Sequence, residues 1–168
     1  MACNDRNRPV VVLTGFGPYG SFQDNPSAAV VRRIEDEGAT ICSMSQGCCI
    51  GRSPSYRSDT GQVPCGNTCP CGVETTERPQ SVLVSDFDCN EIASSVSQFF
   101  DSNCIKIEPS YDPGRYLCAY SYFISLSHDK RKSLFVHVPG FNEDITEQLV
   151  ATALKRIINE CFKQLNRS

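Results

Sequence analysis

Apolar residues recur along this chain at two different spacings. Pro9 to Thr14 contains the unbroken run Val10-Val11-Val12-Leu13, a short β-branched stretch without polar alternation. That pattern predicts a strand covered on both faces, as in a parallel sheet. It feeds the glycine-rich loop Gly15-Phe16-Gly17-Pro18-Tyr19-Gly20, and Asn25-Pro26 then supplies a side-chain cap and a proline at the first helical position. Ala29, Val30, Arg33 and Ile34 continue that helix, and Gly38 can close it. Strand, glycine loop and helix in succession are the opening of an α/β fold.

From about Cys42 to Arg78 neither period holds, and the stretch is rich in Ser, Gly, Pro, Thr and Cys. Order returns at Asp88 to Phe100, where Ile92, Val96, Phe99 and Phe100 suit one helical face. Cys104 to Glu108 reads as a short strand. A turn at Asp112-Pro113-Gly114 leads into a helix over about Tyr116 to Leu126, and Leu134 to Val138 reads as a buried strand. A final helix is predicted over about Ile145 to Leu165, capped by Thr146, with Leu149, Leu154, Ile157, Ile158 and Phe162 facing inward. No internal repeat is present.

Bulk properties narrow the function classes. The 168 residues suit a single domain spanning 1–168, with the irregular cysteine-rich segment at about 42–78 as an insertion in its pattern. Hydrophobic residues make up 40% and charged residues 21%, as in an ordinary globular protein. A net charge of −3 argues against nucleic acid or an anionic membrane as the main partner. No apolar run approaches the roughly 20 residues of a membrane span. The start, Met1-Ala2-Cys3-Asn4-Asp5-Arg6, lacks the apolar core of a secretion signal, so a cytoplasmic protein is expected. In that setting the 11 cysteines are expected as reduced thiols rather than disulfides.

Two residues carry candidate chemistry. Cys118 falls in the opening turns of a predicted helix, where the free backbone N–H groups favour a thiolate. With Asp112 as cap and Pro113 as first helical residue it would sit between the first and second turns; a later start at Gly114 brings it nearer the end. The alternative is a buried structural cysteine of an amphipathic helix. His137 closes the strand of residues 134 to 138, sharing one face with Phe135, while Leu134, Val136 and Val138 share the other. Pro139 stops the strand, which puts His137 at a sheet end where α/β proteins build their sites. A hydrogen-bonded structural histidine is the alternative. His128, beside Asp129, Lys130, Arg131 and Lys132, is expected in solvent. Thiol and imidazole together are what a cysteine nucleophile requires. The glycine loop lacks both the Lys-Ser/Thr of a phosphate-binding loop and the spacing of a dinucleotide fingerprint. Phe16 and Tyr19 suit a small flat apolar group instead, beside backbone N–H groups able to hold an oxyanion.

Three segments together resemble the pyroglutamyl-peptidase I family of cysteine exopeptidases. They are Val12 to Gly20 with Asn25-Pro26-Ser27, Asp112 to Cys118 followed by Tyr120 and Tyr122, and Phe135 to Pro139. The resemblance implies a three-layer α/β/α sandwich with a mostly parallel central sheet. It also implies removal of an N-terminal pyroglutamyl residue from peptides, without metal or cofactor. By the same resemblance Cys118 is the nucleophile and His137 its general base, and Phe16, Gly17 and Tyr19 bind the lactam. Tyr19 stands where members often carry phenylalanine.

The family also has a glutamate that orients the histidine, and this chain departs from that pattern. Between the first helix and that glutamate a strand, a helix and another strand should occupy roughly 35 to 45 residues. Here Gly38 leads almost directly into the cysteine-rich stretch, and no acidic residue lies between Glu37 and Asp59. The sheet is therefore expected to lack a central strand-helix-strand block. Two other readings follow: a catalytically inactive relative that binds pyroglutamyl peptides, and a zinc-binding module. For the latter, Cys48, Cys49, Cys65, Cys69 and Cys71 would supply the thiolates.

Overall fold

The computed structural model describes residues 10–18, 23–37, 83–101, 104–113 and 117–167. Four helices lie among them: α1 (Pro26–Asp36), α2 (Cys89–Ser97), α3 (Leu117–Asp129) and α4 (Glu147–Leu165). Each starts for a local reason where its cap is seen. The Asn25 side chain accepts from the Ser27 N–H at 3.0 Å and Pro26 opens α1. Asp88 accepts from the N–H groups of Asn90 and Glu91 at 3.0 and 2.9 Å, with Glu91 adding a carboxylate to the first turn of α2. The Thr146 hydroxyl accepts from the Leu149 N–H at 3.2 Å at the head of α4.

The expected α/β/α sandwich is not found. The described residues form no strand. Segments 10–18, 83–85, 105–110 and 133–142 carry no regular secondary structure, and no backbone hydrogen bond joins any two of them. A strand is stable only when its N–H and C=O groups meet a neighbour about 4.8 Å away, and an apolar run cannot supply that neighbour by itself. The run predicted to be covered on both faces shows the consequence, with Val10 80% and Val12 57% exposed. The strand predicted over residues 104 to 108 is likewise not formed: Cys104 lies in a turn, its N–H donating to the Asp101 carbonyl at 2.9 Å, and 105–108 join no ladder. The predicted helix through Phe100 ends at Ser97, so Phe99 leaves the helical face; it is 56% exposed beneath the Arg156 guanidinium.

The chain divides into two units. One comprises Met1–Gln46 and Val138–Ala151, the other Gly47–His137 and Thr152–Ser168. In the first, α1 buries Val30 and Ile34. Arg33 of α1 meets Glu147 at 3.3 Å and donates from Nε to Gln148 Oε1 at 2.7 Å. The second unit is built on Phe87, Ile92, Val96 and Ile157, with Phe100, Ile107, Leu134, Val136, Cys161 and Leu165 packed around them. The predicted strand over residues 134 to 138 is not formed, but its alternation of faces is seen over 134 to 137. Leu134 and Val136 face this core, and the ring of Phe135 meets that of His137. Asp88 and Gln164 exchange hydrogen bonds of 2.9 and 3.2 Å, and Arg167 pairs with Glu91 at 2.6 Å, tying the head of α2 to the end of α4.

Candidate active site

Cys118 is the second residue of α3, within its first turn. Burial nevertheless pushes the Cys118 thiol above its ordinary value, partly offset by a hydrogen bond from its own backbone. The thiol is therefore the resting form, and a nucleophile at this position requires a base to take its proton.

His137 is the candidate base, and the elements around it are held by a run of short contacts. Tyr122 follows Cys118 by four residues, so both lie on one face of α3. The Tyr122 ring lies 5.6 Å from that of Phe135, and Phe135 lies 5.0 Å from His137 with the rings 71° apart, an edge-to-face pair. The helix face that carries the thiol is thus linked ring by ring to the imidazole. Behind this stack stands Ser133. Its hydroxyl donates to the Asp129 carbonyl at the end of α3 at 2.8 Å, and its own carbonyl accepts from Ser85 Oγ at 2.7 Å. Ser85 also accepts from the Phe87 N–H at 3.2 Å. His128, the other histidine, is exposed in the last turn of α3, as expected.

Phe16 and Gly17 belong to the other unit. Their loop is laced to the head of α1. The Phe16 N–H donates to Ser27 Oγ at 2.9 Å, Ser27 Oγ donates to Asn25 Oδ1 at 2.8 Å, and Asn25 Nδ2 donates to the Gly17 carbonyl at 3.2 Å. Tyr19 lies outside the described residues, as do Cys48, Cys49, Cys65, Cys69, Cys71 and the whole of 42–78. The described cysteines, Cys89, Cys104, Cys118 and Cys161, are all free.

The sequence named Phe135 as sharing a face with His137 and Tyr122 only as a carrier of the resemblance, and neither Ser85 nor Ser133 stood out. Two spacings pointed to the stack: four residues from Cys118 to Tyr122 on a helix, and two from Phe135 to His137 on an extended segment.

The pyroglutamyl peptidase family model PgaPase_1 matches residues 53–142, a span that includes Cys118, Tyr122, Phe135 and His137. The chain belongs to the pyroglutamyl peptidase family. Among individual members, human Pyroglutamyl-peptidase 1 is 24% identical over 208 aligned residues, covering 98% of this chain and 95% of the human protein. The Rattus norvegicus protein of the same name gives the same identity and coverage. Human Pyroglutamyl-peptidase 1-like protein is 36% identical over 58 residues, 34% of this chain and 30% of that protein. No solved structure matches. The alignment with Pyroglutamyl-peptidase 1 spans 208 positions against 168 residues here, so at least 40 of its positions have no residue in this family member. Both chains align almost end to end, so those positions are internal. Among the described residues, no helix is long and apolar enough to cross a membrane.

Proposed function

We propose that this chain is a cysteine exopeptidase that removes the N-terminal pyroglutamyl residue from peptides, with Cys118 as nucleophile and His137 as general base. The observation that carries the reading is a member of the pyroglutamyl peptidase family with its candidate thiol in the first turn of α3, linked through Tyr122 and Phe135 to an imidazole. Cys118 Sγ attacks the pyroglutamyl carbonyl carbon while its proton passes to His137. The tetrahedral oxyanion collapses, the C–N bond breaks, and His137 returns the proton to the departing amine. Water, deprotonated by His137, then hydrolyses the thioester and frees pyroglutamate and the thiol. Chemistry of this kind uses no metal or cofactor. The lactam is held by Phe16, Gly17 and Tyr19, an apolar recognition suited to an N-terminus that carries no ammonium. The peptide is cleaved in the cytoplasm, where free cysteines persist.

The test is hydrolysis of pyroglutamyl-aminomethylcoumarin by the purified chain, by Cys118→Ser and by His137→Gln. Turnover in the wild type and its loss in both variants is the expected result. A folded wild type without turnover overturns the reading.

A second reading, a relative that binds pyroglutamyl peptides without cleaving them, is favoured by two observations. Burial holds the Cys118 thiol up, and no described residue makes a hydrogen bond or ion pair with the His137 ring. Binding of a pyroglutamyl peptide by the wild type without hydrolysis would establish it.

A further inference from the structure

The ring of His137 is exposed. Among the described residues no hydrogen bond or ion pair restrains it. An exposed imidazole with two free torsions is a poor base, because proton transfer to a fixed thiol demands a fixed nitrogen. What does restrain the ring is aromatic. Phe135 meets it edge-to-face at 5.0 Å, and Phe135 is in turn backed by Tyr122 at 5.6 Å. Tyr122 rides on the helix that carries Cys118, one turn further on. Two residues before Phe135, the Ser133 carbonyl accepts from Ser85 Oγ at 2.7 Å, which holds the segment that carries Phe135.

We propose that Phe135 and Tyr122 are positioning residues, an aromatic stack that fixes the His137 imidazole relative to the Cys118 helix where a carboxylate would otherwise orient it. The proposal rests on His137 being the general base. Phe135 sets the ring plane of His137, and Tyr122 sets Phe135 against α3. Neither touches the reacting atoms, so their loss is expected in the chemical step rather than in substrate affinity.

The full chain is compared with Phe135→Leu, Phe135→Tyr and Tyr122→Leu. The readouts are pyroglutamyl-aminomethylcoumarin kinetics, thermal melts and the imidazole proton NMR signals. The chain has 2 histidines, so His128 serves as the internal reference. Phe135→Leu is expected to lower kcat about tenfold or more with KM within about twofold, since small misplacements of a catalytic group cost rate steeply. Phe135→Tyr, which keeps the ring, is expected to restore most of it. In Phe135→Leu the His137 signals move toward free-imidazole positions as the neighbouring ring current disappears, while those of His128 stay. A Phe135→Leu variant that melts like wild type, with kcat and the His137 signals unchanged, overturns the proposal. Should Phe135→Leu fail to fold, Tyr122→Leu, which removes the ring behind Phe135, carries the same readouts at smaller amplitude, and unchanged values there overturn it equally. A wild type that turns over no substrate would defeat the peptidase reading alone. The NMR comparison then decides the stack, unmoved His137 signals counting against it and displaced ones for it.

Discussion

Gly15 rests directly on the backbone of Ala28. A Cβ built on Gly15 would stand 2.8 Å from both Ala28 Cα and Ala28 N, and 2.7 Å from the Ser27 carbonyl oxygen. All three are backbone atoms of α1 and cannot turn aside as a flexible side chain would. The loop that presents Phe16 and Gly17 is therefore seated on the helix by the absence of one methyl group. Gly15→Ala is expected to push loop and helix apart at a cost of roughly 1–3 kcal/mol, the usual range for overpacking. Urea unfolding of the variant against wild type measures it, and an unchanged midpoint would show that the loop yields freely.

Asn25 serves two ends at once, capping α1 through the Ser27 N–H and holding the Gly17 carbonyl. Asn25→Ala removes both. The expected loss is about 1 kcal/mol for the cap. Asn25→Asp keeps the cap but cannot donate to Gly17, so it is expected to keep most of the stability. A melting comparison of the two variants separates the roles.

Because burial holds the Cys118 thiol up, its alkylation by iodoacetamide is expected to climb with pH through a midpoint above that of an ordinary cysteine. At neutral pH it should be labelled more slowly than the exposed Cys104. Peptide mapping of labelled chain across a pH series measures both. Fast labelling of Cys118 at neutral pH would mean that the thiolate is already formed at rest.

Cys161 gives an alkaline signature. Burial above all, then the neighbouring Cys89, pushes its thiol from 9.0 to about 11. The unfolded chain gives up this proton first as pH rises, so the stability it contributes is complete below 9.0 and is lost on the way to about 11. Urea midpoints are expected to fall between about pH 9 and pH 11 in the wild type and to fall less in Cys161→Ala. Parallel slopes in the two chains would show that other groups dominate.

Local order was legible in the sequence because its causes are local. Asn25 with Pro26 marks the head of α1, and Thr146 marks that of α4. The alternation through Leu134, Phe135, Val136 and His137 sorts core from site. Each is decided within a few residues by cap chemistry or by the geometry of one extended segment.

What the sequence could not decide depends on partners far along the chain. An apolar run such as Val10 to Leu13 looks the same whether or not a neighbouring strand exists, and the described residues supply none. The ladder therefore fails, and Val10 stands in solvent. Tertiary structure alone brought Tyr122 against Phe135 and joined Ser85 to Ser133 across 48 residues. It also half-buried Cys118, which pushes its thiol above the ordinary value. Pairing, stacking and desolvation are set by whatever the folded chain brings near, and the spacing of residues along one segment does not contain that information.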